Sequence, residues 1–167
     1  MKRTPLSERV LPNYTRGEEI ANMTTHIIGG GLGVILLFLT VIISAFEQDI
    51  WGVVGSFIYG ISMIALYTVS SVYHGLKPGL AKKVMQVIDH CTIYLLIAGT
   101  YTPILLVAMR PEYPVLVWVV FGAEWALAAF AATFTAIDHN KYKKHSLSGV
   151  LFYVIQSTIR VLHTSLK

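Results

Sequence analysis

The chain has 167 residues, of which 54% are hydrophobic and only 13% charged, with a formal net charge of +4. Ordinary soluble domains carry about a quarter charged residues, so this balance excludes that class and points to an integral membrane protein. The Lys and Arg residues are dispersed over several connecting segments rather than gathered on one face, which excludes a nucleic-acid footprint as well.

Residues 1–18 form a polar arm carrying Lys2, Arg3, Arg9 and Arg16, with no apolar run near the start. No cleavable signal peptide is expected there, and the first helix serves as its own insertion signal. Spanning a bilayer core takes roughly 20 mostly apolar residues. Four segments meet that length, at about 19–46, 50–74, 84–109 and 114–137. A fifth, 147–163, begins apolar but runs into Ser157, Thr158, Arg160 and His163, so it reads as a partial helix. The expectation is one all-α domain over 19–167, a polytopic transmembrane bundle of four helices plus a partial fifth.

Within these spans Pro103 should kink the third helix, because it lacks a backbone donor and its ring clashes with the preceding turn. Gly29 and Gly33 form a GxxxG, and Gly52, Ser56 and Gly60 a small-residue stripe, suited to close helix packing. Trp51, Tyr113 and Trp118 fit an aromatic belt. Glu124 lies deep in the fourth helix, where a hydrogen-bonded partner within the bundle is expected. Cys91 is the single cysteine, so no intrachain disulfide can form. The sequons at Asn13 and Asn22 are discounted because both fall on the cytoplasmic side in the orientation below.

Basic residues alternate between connections. The arm has four; the turn after Phe46 has none; the next loop has Lys77, Lys82 and Lys83; Arg110 stands alone; then come Lys141, Lys143 and Lys144. The positive-inside rule therefore places the N-terminus in the cytoplasm. In that orientation three polar clusters share one leaflet. Glu19, Asn22 and His26 follow i, i+3, i+7 near the start of the first helix; Ser70 and His74 follow i, i+4 near the end of the second; Asp89 and His90 open the third. Each set forms a stripe expected to face the bundle interior. Interhelical hydrogen-bonding is the plain reading of such groups, but ionisable residues clustered in one leaflet point to function. His74 with Asp89 and Ser70 suits a zinc site with an oriented water, although one imidazole falls short of the usual three ligands. His26 and His90 are further candidates, His90 being turned about 100° away from Asp89 around the helix.

The runs Glu18 to His26, Ser70 to His74 and Asp89 to Pro103 resemble the successive motifs of hemolysin III proteins. Those are bacterial relatives of the progestin and adipoQ receptors, in a wider superfamily with the alkaline ceramidases. The resemblance implies the first part of a seven-helix bundle in a bacterial plasma membrane and a zinc site on the cytoplasmic side. His74 would be one metal ligand, and Asp89 and Ser70 would lie beside the metal-bound water. The other two ligands would come from a His-x-x-x-His motif on a seventh helix. No such motif occurs here, because His139, His145 and His163 are spaced otherwise and the sequence ends at Lys167. The resemblance thus implies a family member lacking its last two helices, for which a frameshift, a premature stop or a truncated gene model would each account.

Two functions compete on this reading. One is a metal-dependent hydrolase of lipid amides, or its inactive descendant. The other is a pore-forming cytolysin or membrane-homeostasis protein that assembles as a homo-oligomer and has no enzymatic activity. Both name membrane lipid as the partner.

Overall fold

The computed structural model describes residues 5–137. The expected fifth helix at 147–163 and the histidines beyond Ile137 lie outside the described residues. Four long helices follow one another: α1 (Arg16–Phe46), α2 (Ile50–Gly75), α3 (Leu80–Pro103) and α4 (Pro114–Ile137). Each is long and apolar enough to cross a membrane, and among the described residues there is no strand. The fold is a polytopic transmembrane helical bundle.

Two of the helix starts lie ahead of the expected positions. α1 begins at Arg16 because Thr15 builds a capping box with Glu18: the Thr15 backbone N–H donates to Glu18 Oε2 at 2.7 Å, and the Glu18 N–H donates to Thr15 Oγ1 at 3.3 Å. α3 begins at Leu80, not at 84, with Gly79 as its N-cap. Lys82 and Lys83 therefore belong to the first turn of α3 rather than to a loop. Asp49 caps α2 by accepting the Trp51 N–H at 3.1 Å, so the α1–α2 connection is a tight turn in which Gln48 adopts φ 55°.

Pro103 ends the regular part of α3. The chain continues as a π-helical turn, Ile104–Met109, closed by the Arg110 N–H donating to Leu105 O at 2.9 Å. The proline removes a ladder donor, and the extra residue per turn absorbs the defect. The same proline is the contact point with α2: a Cβ added to Gly55 would sit 2.8 Å from Pro103 Cα, so only glycine lets the two backbones approach this closely.

Each helix packs on its neighbour in sequence, α1 on α2, α2 on α3 and α3 on α4. α3 is central and α1 outermost, since 39% of the apolar window of α3 is buried against 6% for α1. Gly29 and Gly33 seat α1 on α2, Gly29 against the Tyr67 ring and Gly33 against Met63. Between α3 and α4 the core is Tyr94, Ala98, Ala128 and Ala131, small residues that permit a close seam. Two hydrogen bonds lace it, Tyr94 Oη to Thr135 Oγ1 at 3.1 Å and the Trp125 indole N–H donating to Thr102 Oγ1 at 3.2 Å.

Glu124 does not meet its expected partner among the described residues. It is buried, 2% exposed, on the face of α4 that carries Ala128 and Ala131, and within those residues neither carboxyl oxygen has a hydrogen-bond partner. α4 offers mostly Ala, Val and Phe around it, and the nearby tyrosine, Tyr101, interacts electrostatically without a hydrogen bond.

The antiparallel path puts the start of α1, the end of α2, the start of α3 and the end of α4 at one end of the bundle. The N-terminal arm crosses that end: Lys83 Nζ donates to Ser7 O at 2.6 Å and Arg9 Nη2 to Ile137 O at 3.1 Å. At the other end Trp51 and Trp118 meet edge to face at 5.6 Å, and the Arg110 guanidinium lies 4.6 Å from the Trp51 ring centre.

Candidate functional site

α1 is 31 residues long, about 46 Å at 1.5 Å per residue, against a hydrocarbon core of about 30 Å. A turn or more of α1 therefore projects beyond the apolar layer, and Glu19 lies in its first turns. The ends of three helices converge around that carboxylate.

The Glu19 side chain bridges all three. Its Oε2 lies 2.7 Å from His74 Nδ1 on α2, and its Oε1 lies 2.7 Å from Lys82 Nζ on α3. Lys82 also donates to Leu76 O at 3.0 Å, and its ammonium lies 5.1 Å from the Tyr73 ring centre. These contacts account for a lysine that is only 3% exposed. A buried ammonium is tolerated because a carboxylate, a carbonyl and an aromatic face replace its water. The carboxylate accepts from His74, so Nδ1 carries the hydrogen and Nε2 is left as the basic or metal-binding nitrogen.

His74 is enclosed by rings. Tyr73 lies 4.7 Å away between centroids, Tyr14 at 5.8 Å, and His26 stacks on it at 5.9 Å with an interplanar angle of 14°. Ser70 is buried one turn earlier on α2. Asn22 lies half-buried between Glu19 and His26 on α1. Asp89 is one helical layer away: its nearest ionic neighbour is His90 Nδ1 at 4.0 Å, and it acts electrostatically on His26 and Tyr73. His90 Nδ1 lies 2.7 Å from the Gln86 carbonyl oxygen.

The structure thus joins Glu19, His26 and His74 directly, with Ser70 alongside and Asp89 at longer range. Sequence reasoning placed Glu19 in a separate polar cluster and read Lys82 as a loop charge, and it passed over Tyr73 and Gln86. A signal was present. With a helix starting after Pro78-Gly79, Lys82, Gln86 and Asp89 follow i, i+4, i+7 and mark one face of α3.

Among the described residues His26 Nδ1, on the ring stacked against His74, is buried without a hydrogen-bond partner, while Tyr73 Oη and Gln86 Oε1 are buried and interact with one another across α2 and α3. A cleft of ≈ 620 Å³ opens on the other side of His74, lined by Tyr14, Arg16, Glu19, Met23, His74 and Lys82 among others, and not by His26, Tyr73 or Gln86. That is the size of a small-molecule site. A second, apolar groove of ≈ 300 Å³ runs from His26 along Gly30 and Gly31, between α1 and α2.

The donor chemistry suits zinc at His74 alone. A metal-binding histidine commonly gives its other ring N–H to a carboxylate, as His74 does to Glu19. Among the described residues, however, no group of three His, Cys, Asp or Glu is arranged to hold a metal ion.

Comparison with known proteins agrees with the motif reading. The family described as "Haemolysin-III related" matches residues 14–165. Hemolysin-3 of Bacillus cereus is 34% identical over 145 residues, covering 87% of this chain and 64% of the relative. The Hemolysin-3 homolog of Bacillus subtilis (strain 168) is 37% identical over 149 residues, covering 89% and 67%. More distantly, the human monocyte to macrophage differentiation factor is 29% identical over 149 residues, covering 84% and 58%. The chain thus spans about two thirds of the length of these bacterial relatives, and no solved structure matches it. A family match across nearly the whole chain, joined by bacterial relatives above 30% identity, means that this chain belongs to the haemolysin-III-related family.

Proposed function

We propose that the chain carries the acid–base part of a membrane hydrolase acting on lipid amides, with His74 as the base and Glu19 as the residue that orients it. The observation that carries this reading is the 2.7 Å contact between Glu19 Oε2 and His74 Nδ1, both of which line a cleft. Glu19 fixes the ring and leaves Nε2 to take a proton from a water. The water oxygen adds to the amide carbonyl, the proton passes from Nε2 to the leaving nitrogen, and the C–N bond breaks to give a carboxylic acid and an amine. Tyr14 and Lys82 are polar groups of the cleft wall beside His74, and Asp89 biases the electrostatics of His26. Were a zinc ion held at His74 Nε2, it would occupy the nitrogen used here as the base, and would supply a polarised water in its place.

The alternation of basic segments supports an orientation with this end in the cytoplasm and the protein in the bacterial plasma membrane. The relatives' printed name, hemolysin, supports the second reading, a pore-forming oligomer. The test is turnover of a long-chain fatty amide of an amino alcohol by purified protein in vesicles. Hydrolysis that disappears in His74→Ala supports the hydrolase. Vesicle leakage without hydrolysis, unchanged in His74→Ala, overturns it in favour of the pore.

A further inference from the structure

The cleft beside His74 carries more positive charge than the Glu19 contacts use. Three cations line it, Arg16, Lys77 and Lys82, against one carboxylate, Glu19. Lys82 is held by that carboxylate at 2.7 Å and by Leu76 O at 3.0 Å. Arg16 and Lys77 are exposed along the cleft, and among the described residues neither makes a hydrogen bond or an ion pair. Glu18, the other acid of α1, does not line the cleft and is tied into the Thr15 cap. Two cations therefore face this space without a counter-charge from the protein, and a cleft lined by one sign of charge concentrates ligands of the other.

Both cations lie on the water side of the Glu19–His74 pair. Arg16 opens α1 and precedes Glu19 by three residues, a rise of about 4.5 Å along the helix. Lys77 follows His74 by three residues, past the end of α2 at Gly75. Ile20, Met23 and Leu76 line the same cleft and give it an apolar wall. A ligand that matches this order has hydrocarbon on one side, its middle at the imidazole, and negative charge at its outer end. A free anion would leave the apolar wall uncovered, and a neutral headgroup would leave the two cations unmatched.

We propose that the cleft selects lipid amides whose amine half carries an anion, a carboxylate or a phosphate, held by Arg16 and Lys77 while the amide lies at His74. This rests on the hydrolase reading and names its substrate class. Charge-assisted bonds to either anion are the strong kind that arginine is suited to make. Hydrolysis consumes one water and breaks the C–N bond, so the products are a fatty acid and an amino acid or amino-alcohol phosphate.

The test is native mass spectrometry of the full chain mixed with N-palmitoylglycine, N-palmitoylethanolamine phosphate or neutral N-palmitoylethanolamine, with hydrolysis of the same three lipids followed in phosphatidylcholine vesicles. At about fivefold per cation near a membrane surface, wild type should retain each anionic amide about 25-fold over the neutral one. Arg16→Gln and Lys77→Gln should each lower that preference about fivefold, and the double variant should abolish it. Both side chains are exposed, so these variants should fold. Arg110→Gln removes a cation at the other end of the bundle and should leave the preference unchanged. Inorganic phosphate should not displace the anionic amides, and displacement overturns the assignment to a lipid. Equal retention of the three lipids, retention of none, a preference that survives the double variant, or an equal loss in Arg110→Gln overturns the proposal. Hydrolysis with equal retention refutes the selection and leaves the hydrolase standing, whereas preferential retention without hydrolysis keeps the anion site and removes the hydrolase.

Discussion

Glu19 and His74 are 55 residues apart in the sequence and 2.7 Å apart in space, Oε2 to Nδ1, across the α1–α2 interface. The other Glu19 oxygen holds Lys82 of α3, also at 2.7 Å. One carboxylate therefore ties three helices together and fixes the ring that would do the chemistry.

Removing that carboxylate should be costly. Glu19→Gln leaves Lys82 buried beside a neutral amide, and breaking a buried pair from one side costs about 3 kcal/mol. Lys82→Met in the same chain should recover a large part of the loss, because the pair is then removed together. Thermal unfolding of the single and double variants in detergent checks this. Additive losses would mean that the 2.7 Å contact contributes no coupling.

The α2–α3 crossing depends on Gly55. Its missing Cβ would meet the Pro103 backbone at 2.8 Å, so Gly55→Ala should destabilise by about 1–3 kcal/mol through overpacking. Gly31 faces open space, with nothing within 4 Å of an added Cβ. Gly31→Ala should therefore stay within about 0.5 kcal/mol of wild type. Equal effects at the two sites in the same unfolding assay would argue against this crossing.

Glu124 should yield a gain. Among the described residues both of its oxygens are buried without partners, and an uncompensated buried polar group costs about 1–3 kcal/mol. Glu124→Leu should raise stability by about that amount. Glu124→Gln, which keeps polar atoms in the same place, should not. The unfolding temperature of the two variants separates these outcomes, and a loss in Glu124→Leu would show that the carboxyl has a partner in the membrane.

The helices were legible because lipid demands long apolar runs, and their number and order follow from length alone. Pairwise chemistry between helices was not. Glu19, Ser70, His74 and Asp89 could each be placed at one end of the bundle, but periodicity gives a face and a depth, not a partner, so the direct Glu19–His74 contact could not be distinguished from a His74–Asp89 one. Lys82 was hidden by a boundary error of four residues: a lysine assigned to a loop reads as a topology signal, whereas one in the first turn of α3 points into the bundle. Arg9 was hidden differently. A polar arm gives no pattern from which burial could be read.

The hydrolase account stands or falls on whether Glu19 and His74 act as one unit. The direct measurement is turnover of the long-chain fatty amide in vesicles by wild type, Glu19→Gln, His74→Ala and the double variant. Loss of an orienting partner should lower activity about 10- to 100-fold in Glu19→Gln, and the double variant should be no slower than His74→Ala alone. Losses that multiply in the double variant, or a Glu19→Gln protein with wild-type turnover, would contradict the account.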